Sequence, residues 1–305
     1  MNAIRTAAKR LERLRPRMPW HPPGRQALAA PLSGVFNPTF LPSTFMPGAD
    51  VVVLCRETYY TLDARSYMIG APEIERARNL MVGLVSEGTG MREIGRRHVH
   101  SLDALEDVRA YPFDGTTYFS AVRLNRPPER LHSPVIGTLA LDLTASIRAP
   151  DEHVDAVEKN WVFFRREGGL WIEKWPGGNE TYKVDPATLK LHYTLSGEVD
   201  RRWSGTKSAP FEGGDLFLDH RRIYLFDRGR LPVRFVFRLR YQPASGGEAA
   251  ISRSFSLHRH DRLVYASDIS VSHGKVRIGF GIDDAEASFH EMAIDEARTF
   301  MGLAL

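Results

Sequence analysis

A five-bladed β-propeller is the fold this sequence predicts. Three observations predict it. From Phe36 onward the chain breaks into many short apolar or alternating runs, separated by Gly, Asp, Asn and Pro turns. These runs recur in units of about fifty residues, the size of one four-stranded blade. Five such units fill the chain from residue 36 to its end.

The elements follow in order. MNAIRTAAKRLERLRPRMPW places Ile4, Ala7, Ala8, Leu11 and Leu14 at helical spacing among six basic residues, and Pro16 and Pro19 stop it. This is a short basic amphipathic helix. It suits a peripheral contact with a membrane surface, and it equally suits a solvated terminal helix, the commoner case. A Pro-rich linker, HPPGRQALAAPLSG, follows, so residues 1–34 form a leader and 35–305 the propeller. Four units share a polar cluster, a strand, a Gly turn and an aromatic strand. They begin near Phe36, Leu105, Glu158 and Gly205, and a fifth is expected from about Ser254. Two helical candidates, PEIERARNLMVGLV and AIDEARTFMGLAL, interrupt and close the series.

Composition bounds the function. With 43% apolar residues and 305 positions, the chain can bury a large core. One cysteine, Cys55, excludes a disulfide framework and a cysteine-based zinc site. Its setting, VVVLCRE, reads as a small buried hydrophobe. No run suits a membrane span or a secretory signal, so a cytoplasmic location is expected, at the inner face of a membrane if the basic helix binds one. The net charge of +4 is concentrated at the N-terminus, and no nucleic-acid motif is present. Gly279-x-Gly281 lacks a strand-to-helix context, and no P-loop or Gly-x-Ser-x-Gly occurs, so no cofactor is expected. His98-x-His100 and His258-x-His260 have a spacing that metals use, but neither has an evident third ligand. They read as surface histidines, and no metal is assigned.

In a propeller the inner strand of each blade lines the central channel, and one end of each converges on the axis. EKNWVFF then reads as a strand that starts at the mouth of the channel and runs into the core. Glu158, Lys159 and Asn160 fall at the mouth, and Trp161 to Phe164 are packing. Neighbours in a regular strand face opposite ways, so two of these polar residues can share the axis only if the strand starts irregularly.

Asn37-Pro38, EDVR at 106–109, EKN at 158–160, GTKSAPF leading to FLDH at 217–220, and VRIGFGIDDAEASF occur in a telling order. Together they resemble the five-bladed propeller sugar enzymes, namely the β-mannoside phosphorylases of glycoside hydrolase family 130 and their glycosyltransferase relatives. The resemblance covers about residues 36 to 300. It implies substrate-binding roles for Asn37, Arg56, Arg109, Glu158, Lys159, Asn160, Thr206, Lys207, His220, Asp283 and Asp284. Catalytic candidates are Asp107, Glu106 and Asp63. The sequence departs from the phosphorylase pattern at CRETYYTLDARSYMIG, where the family carries its general acid in an Arg-Asp-rich stretch. Asp63 is the only Asp there, and its surroundings differ.

Glycosyl transfer passes through an oxocarbenium-like transition state and needs carboxylates for proton transfer, with cations where phosphates depart. Arg56, Arg109, Lys159, Lys207 and His220 are candidate phosphate cations, and Arg109 beside carboxylates favours a base over an acid. Tyr59, Tyr60, Tyr118 and Trp203 are candidates for stacking on sugar rings. The expected activity is inverting transfer from an activated sugar, with a nucleotide sugar as donor, to a saccharide acceptor. The alternatives are phosphorolysis or hydrolysis of a mannoside-type glycan, with phosphate as partner, and a non-catalytic propeller that binds glycan or protein. In this last case the Glu106, Asp107 and Arg109 cluster serves only as an inter-blade ion-pair network.

Overall fold

The computed structural model describes residues 25–26, 32–33, 35–57, 78–88, 90–124, 132–150, 161–174, 180–195, 203–224, 233–257, 264–282 and 286–303. Two short strands come first, β1 (Arg25–Gln26) and β2 (Leu32–Ser33). Blade I follows as β3 (Val35–Leu41), β4 (Val51–Glu57), β5 (Asn79–Glu87) and β6 (Gly90–His98). Blade II is β7 (Leu105–Phe113), β8 (Thr116–Leu124), β9 (His132–Leu139) and β10 (Ala145–Arg148). Blade III is β11 (Val162–Arg166), β12 (Gly169–Lys174), β13 (Glu180–Val184) and β14 (Leu191–Leu195). Blade IV is β15 (Ser204–Phe211), β16 (Gly214–Tyr224), β17 (Val233–Pro243) and β18 (Ala250–Ile251). Blade V holds β19 (Val264–Ser272), β20 (Lys275–Ile282) and β21 (Glu286–Ala293), and helix α1 (Ile294–Met301) ends the described chain.

Each blade is an antiparallel meander, and together they form an all-β five-bladed propeller. Blade V takes its outer pairing from the start of the chain. β1 and β2, which lie in the Pro-rich stretch, both pair with β21. The two ends of the chain thereby meet in one sheet, and half of the β21 residues are paired along the edge it would otherwise expose. The basic helix expected before β1 lies outside the described residues.

Apolar packing fills the gaps between blades, one cluster per junction. Leu54, Met81, Leu105 and Phe119 join blades I and II, and Tyr111, Phe163, Ile172 and Tyr182 join II and III. Leu218, Phe237, Ile269 and Ile278 join IV and V, with Phe300 of α1 packed edge-on against Phe255. Val53, Cys55, Val82 and Phe289 join V and I. The junction of III and IV is the least apolar, with a core of Val162, Phe164, Trp171 and Phe217. Charge supplements it. Arg240 lies over the Phe217 ring and reaches both Asp219 and Glu173. Those contacts hold its guanidinium above the ordinary range against the cost of burial.

Two sequence expectations are corrected here. NLMVGLV is a strand and not the end of a helix. A continuous apolar run suits either, and this one is buried on both faces between its neighbours. Gly83 in it lies so close to Met46 that a Cβ would meet the sulfur. The fifth unit starts at Val264, not Ser254. Residues 250–251 and the Phe255 bridge to Phe237 complete blade IV. VYASDISVS, which is not among the runs read as strands from sequence, is β19, the inner strand of blade V. Trp161, Val162, Phe163 and Phe164 are buried, as packing residues should be, and so is Cys55, whose thiol burial pushes up to about 12.

Candidate active site

The inner strands carry the site through a shared irregularity. β3, β7, β15 and β19 each break register with their neighbour near their starts. The breaks fall at Asn37–Pro38, Asp107–Val108, Thr206 and Ser267. A bulge inserts an extra residue and re-aims side chains, which lets consecutive residues share one end of the channel. Asn37 and Asp107 occupy matching places in blades I and II. Both adopt left-handed backbone, with φ of 50° and 52°, a conformation that Asn and Asp tolerate best among residues with a Cβ.

These bulges bring Asn37 and Asp107 together. The Asn37 amide Nδ2 donates to Asp107 Oδ1 at 3.0 Å. Directly beside them the Arg56 guanidinium pairs with Glu106, and lies 4.2 Å above the Phe36 ring. Asp107 and Glu106 are half-buried, and Arg56 is buried. Two adjacent carboxylates are thus engaged at this point, Asp107 by the Asn37 amide and Glu106 by Arg56.

Arg109 crosses the channel below them. From blade II it donates to the Thr206 carbonyl of blade IV and, at 3.1 Å, to the Tyr265 hydroxyl of blade V. It is buried and forms the floor of the site. His220 stands beside it, with Nδ1 2.8 Å from Thr206 Oγ1 and its ring edge-on to Tyr265 at 5.3 Å. Phe235 completes the ring cluster, 5.0 Å from Tyr265. Burial, and then the charge of Arg109, depress the His220 imidazole to about 3, so it is neutral at physiological pH. As a neutral ring it can exchange hydrogen bonds with a ligand.

Lys207 lies deeper and apart. Its ammonium contacts Asp268 Oδ1 at 2.6 Å, and both side chains are almost wholly buried. Asp268 also accepts from Thr39 Oγ1 at 2.5 Å, from the Phe40 amide and from the Ile269 amide at 2.6 Å. Thr39 in turn accepts from the Ala110 amide at 3.1 Å. Burial pushes the carboxyl up and the ammonium down, while the contact between them opposes both shifts. Four donors on one carboxylate favour its ionised form. This belt ties blades I, II, IV and V across the axis and separates the bulged end from a cavity of about 300 Å³ at the far end.

The structure thus brings together Asn37, Arg56, Glu106, Asp107, Arg109, Thr206 and His220, and places Lys207 below them. Asp63, Glu158, Lys159, Asn160, Asp283 and Asp284 lie outside the described residues, as do Tyr59 and Tyr60. Tyr118 is core, packed on Phe113 and Phe163. Trp203 carries the Arg238 guanidinium 4.4 Å over its ring. Sequence reasoning missed Tyr265 and Phe235. The available signal for Tyr265 was its place at the head of VYASD, the one polar inner-strand start not recognised.

Comparison by sequence finds no matching family and no matching curated protein. Comparison of structures does find relatives. A mannose phosphorylase from Leishmania mexicana, solved in complex with phosphate ion, superposes with a TM-score of 0.56 at 11% identity, over 96% of this chain and 93% of its own. The β-1,2-mannobiose phosphorylase of Listeria innocua gives 0.54 at 12%, over 89% and 92%. A GDP-Man-dependent mannosyltransferase from Leishmania mexicana gives 0.51 at 12%, over 93% and 92%. The likeness is one of fold. Mannoside phosphorylases, glycoside hydrolases and a mannosyltransferase share this five-bladed frame over nearly its full length.

Proposed function

We propose that this chain is a carbohydrate-active enzyme that transfers a glycosyl unit, of mannoside type, from an activated sugar donor to a saccharide acceptor at the bulged end of its channel. The observation that carries this reading is Asp107. It is raised on a left-handed bulge and oriented by Asn37, next to the Arg56–Glu106 pair. Inverting transfer from an activated donor needs one base to take the acceptor hydroxyl proton, and positive charge where the leaving group departs. Asp107 is assigned as that base. Arg56 and Arg109 supply positive charge beside and beneath it, and Asn37 fixes the rotamer of the carboxylate. The neutral imidazole of His220 and the Tyr265 hydroxyl offer hydrogen bonds to sugar hydroxyls. The mannosyltransferase among the structural relatives supports the same reading.

A second reading is phosphorolysis or hydrolysis of a mannoside. The phosphorylases among the relatives, one of them solved with phosphate, favour it. It differs in needing a carboxylic acid to protonate the glycosidic oxygen.

The test is a thermal-shift panel of nucleotide sugars, nucleoside diphosphates, sugar 1-phosphates and inorganic phosphate, followed by product analysis with the ligands that bind. A ligand that binds only the native state raises Tm. A nucleotide sugar that shifts Tm and is turned over supports the transferase. Asp107→Asn is then expected to keep the shift and to lower kcat about 10²–10⁴-fold, the usual worth of a general base. Release of a sugar 1-phosphate that depends on phosphate decides for the second reading. Binding without turnover of any donor, and without cleavage of a mannoside in the presence or absence of phosphate, overturns both and leaves a glycan-binding propeller.

A further inference from the structure

The turn between blades I and II brings a third ligand to the His98-x-His100 pair. β6 ends at His98, a single 3-10 turn spans His100–Leu102, and Asp103 follows. His98 Nε2 lies 2.7 Å from Asp103 Oδ1, and His100 Nδ1 lies 3.8 Å from Asp103 Oδ2. The two imidazole rings meet at 3.8 Å between centroids. One ligand atom from each of the three residues falls within 4.8 Å of the other two.

We propose that His98, His100 and Asp103 form a binding site for a divalent transition metal, zinc by its ligand chemistry. Two imidazoles and a carboxylate suit zinc and its neighbours, and three protein ligands leave a fourth position for water. Zinc bonds of about 2.0–2.1 Å in a tetrahedron set ligand atoms roughly 3.4 Å apart. The observed separations bracket that value, so small side-chain rotations complete the site. His100 is 81% exposed and free to make them.

The backbone beneath is already rigid. Val99 and Leu102 are fully buried, and the Val99 amide donates to the Asn79 carbonyl at 2.9 Å. The Asn79 side chain donates to the Leu102 and Leu105 carbonyls at 2.7 and 3.0 Å. Binding therefore orders few groups that are not ordered already. The site also lies just ahead of Glu106, Asp107 and Arg109. A bound cation would clamp the end of β6 to the start of the strand that carries them. The proposal does not depend on the enzymatic reading above.

The experiment uses the full chain without a histidine tag, stripped with chelator and titrated with Co²⁺ and then Zn²⁺. The expected result is a saturable cobalt absorption band that Zn²⁺ displaces, and a Tm raised by Zn²⁺. Loss of an outer partner alone lowers metal affinity about 10–100-fold, so His100→Ala and Asp103→Asn should each lower it by more than about tenfold. Both positions lie at the surface, so the variants should keep the native Tm without metal. No saturable binding, or binding of equal strength in both variants, would overturn the proposal. In the second case the metal sits on other histidines, and His98–Asp103 is a hydrogen-bonded pair only.

Discussion

Asp107 and His220 occupy unlike surroundings within one site. Asp107 is half-buried and accepts from a neutral amide, while His220 is buried beside a guanidinium. The histidine gives a pH signature that can be measured. Its folded value is depressed from 6.5 to about 3, so between those values the unfolded chain binds a proton that the native protein excludes. Stability from this group is complete above pH 6.5 and is lost as pH falls toward 3. The slope is at most about 1.4 kcal/mol per pH unit. Urea melts of wild type and His220→Gln between pH 7 and 4 should show a shallower acid limb in the variant. Equal limbs would mean that the imidazole is solvated. The deeper pair makes a second prediction. Lys207→Met leaves the Asp268 carboxylate buried without its cation, and is expected to cost about 3–5 kcal/mol in urea denaturation. Lys207→Met with Asp268→Asn should recover part of that loss, because no unpaired charge remains and a side-chain oxygen still accepts from the neighbouring donors.

At the scale of strands, the candidate site rests on the bulged starts of the inner strands. They supply the irregularity that lets Glu106 and Asp107, neighbours in sequence, both belong to the site. β20 supports the first bulge from behind. Gly281 packs against Asn37, and a Cβ there would lie 3.0 Å from Asn37 Oδ1 and 3.2 Å from its amide nitrogen. Gly281→Ala should therefore push β3 outward, at a cost of about 1–3 kcal/mol, and turn Asn37 away from Asp107. Turnover should fall in this variant while Tm drops only modestly. A variant with unchanged kcat would show that the Asn37 contact does not orient the base. The turns were easier to read than the bulges. Asp114-Gly115, Glu167-Gly168, Glu212-Gly213 and His273-Gly274 all adopt the paired positive φ of tight hairpins. The sequence marks each of them as a residue followed by Gly.

Across the whole molecule, closure joins the ends of the chain. β1 and β2 cover β21, so blade V needs residues that lie more than 250 positions away. Removal of residues 1–33 should uncover the edge of β21, lower Tm and produce larger species in light scattering, since open edges pair with one another. A truncated chain with the scattering and Tm of the full chain would show that the closing strands add little.

What the sequence determined alone is the set of local features. Short strands, Gly hairpins, the blade count and the polar starts of most inner strands were legible, because periodicity and turn chemistry act over a few residues. The tertiary structure decided which polar residues meet. Lys207 and Thr206 are adjacent in the chain, yet one pairs with Asp268 within the channel and the other contacts His220 at the site floor. Tyr265 joins the site through Arg109, 156 positions earlier in the chain. Contacts of this kind depend on how blades pack around an axis, and no short stretch of sequence carries that distance.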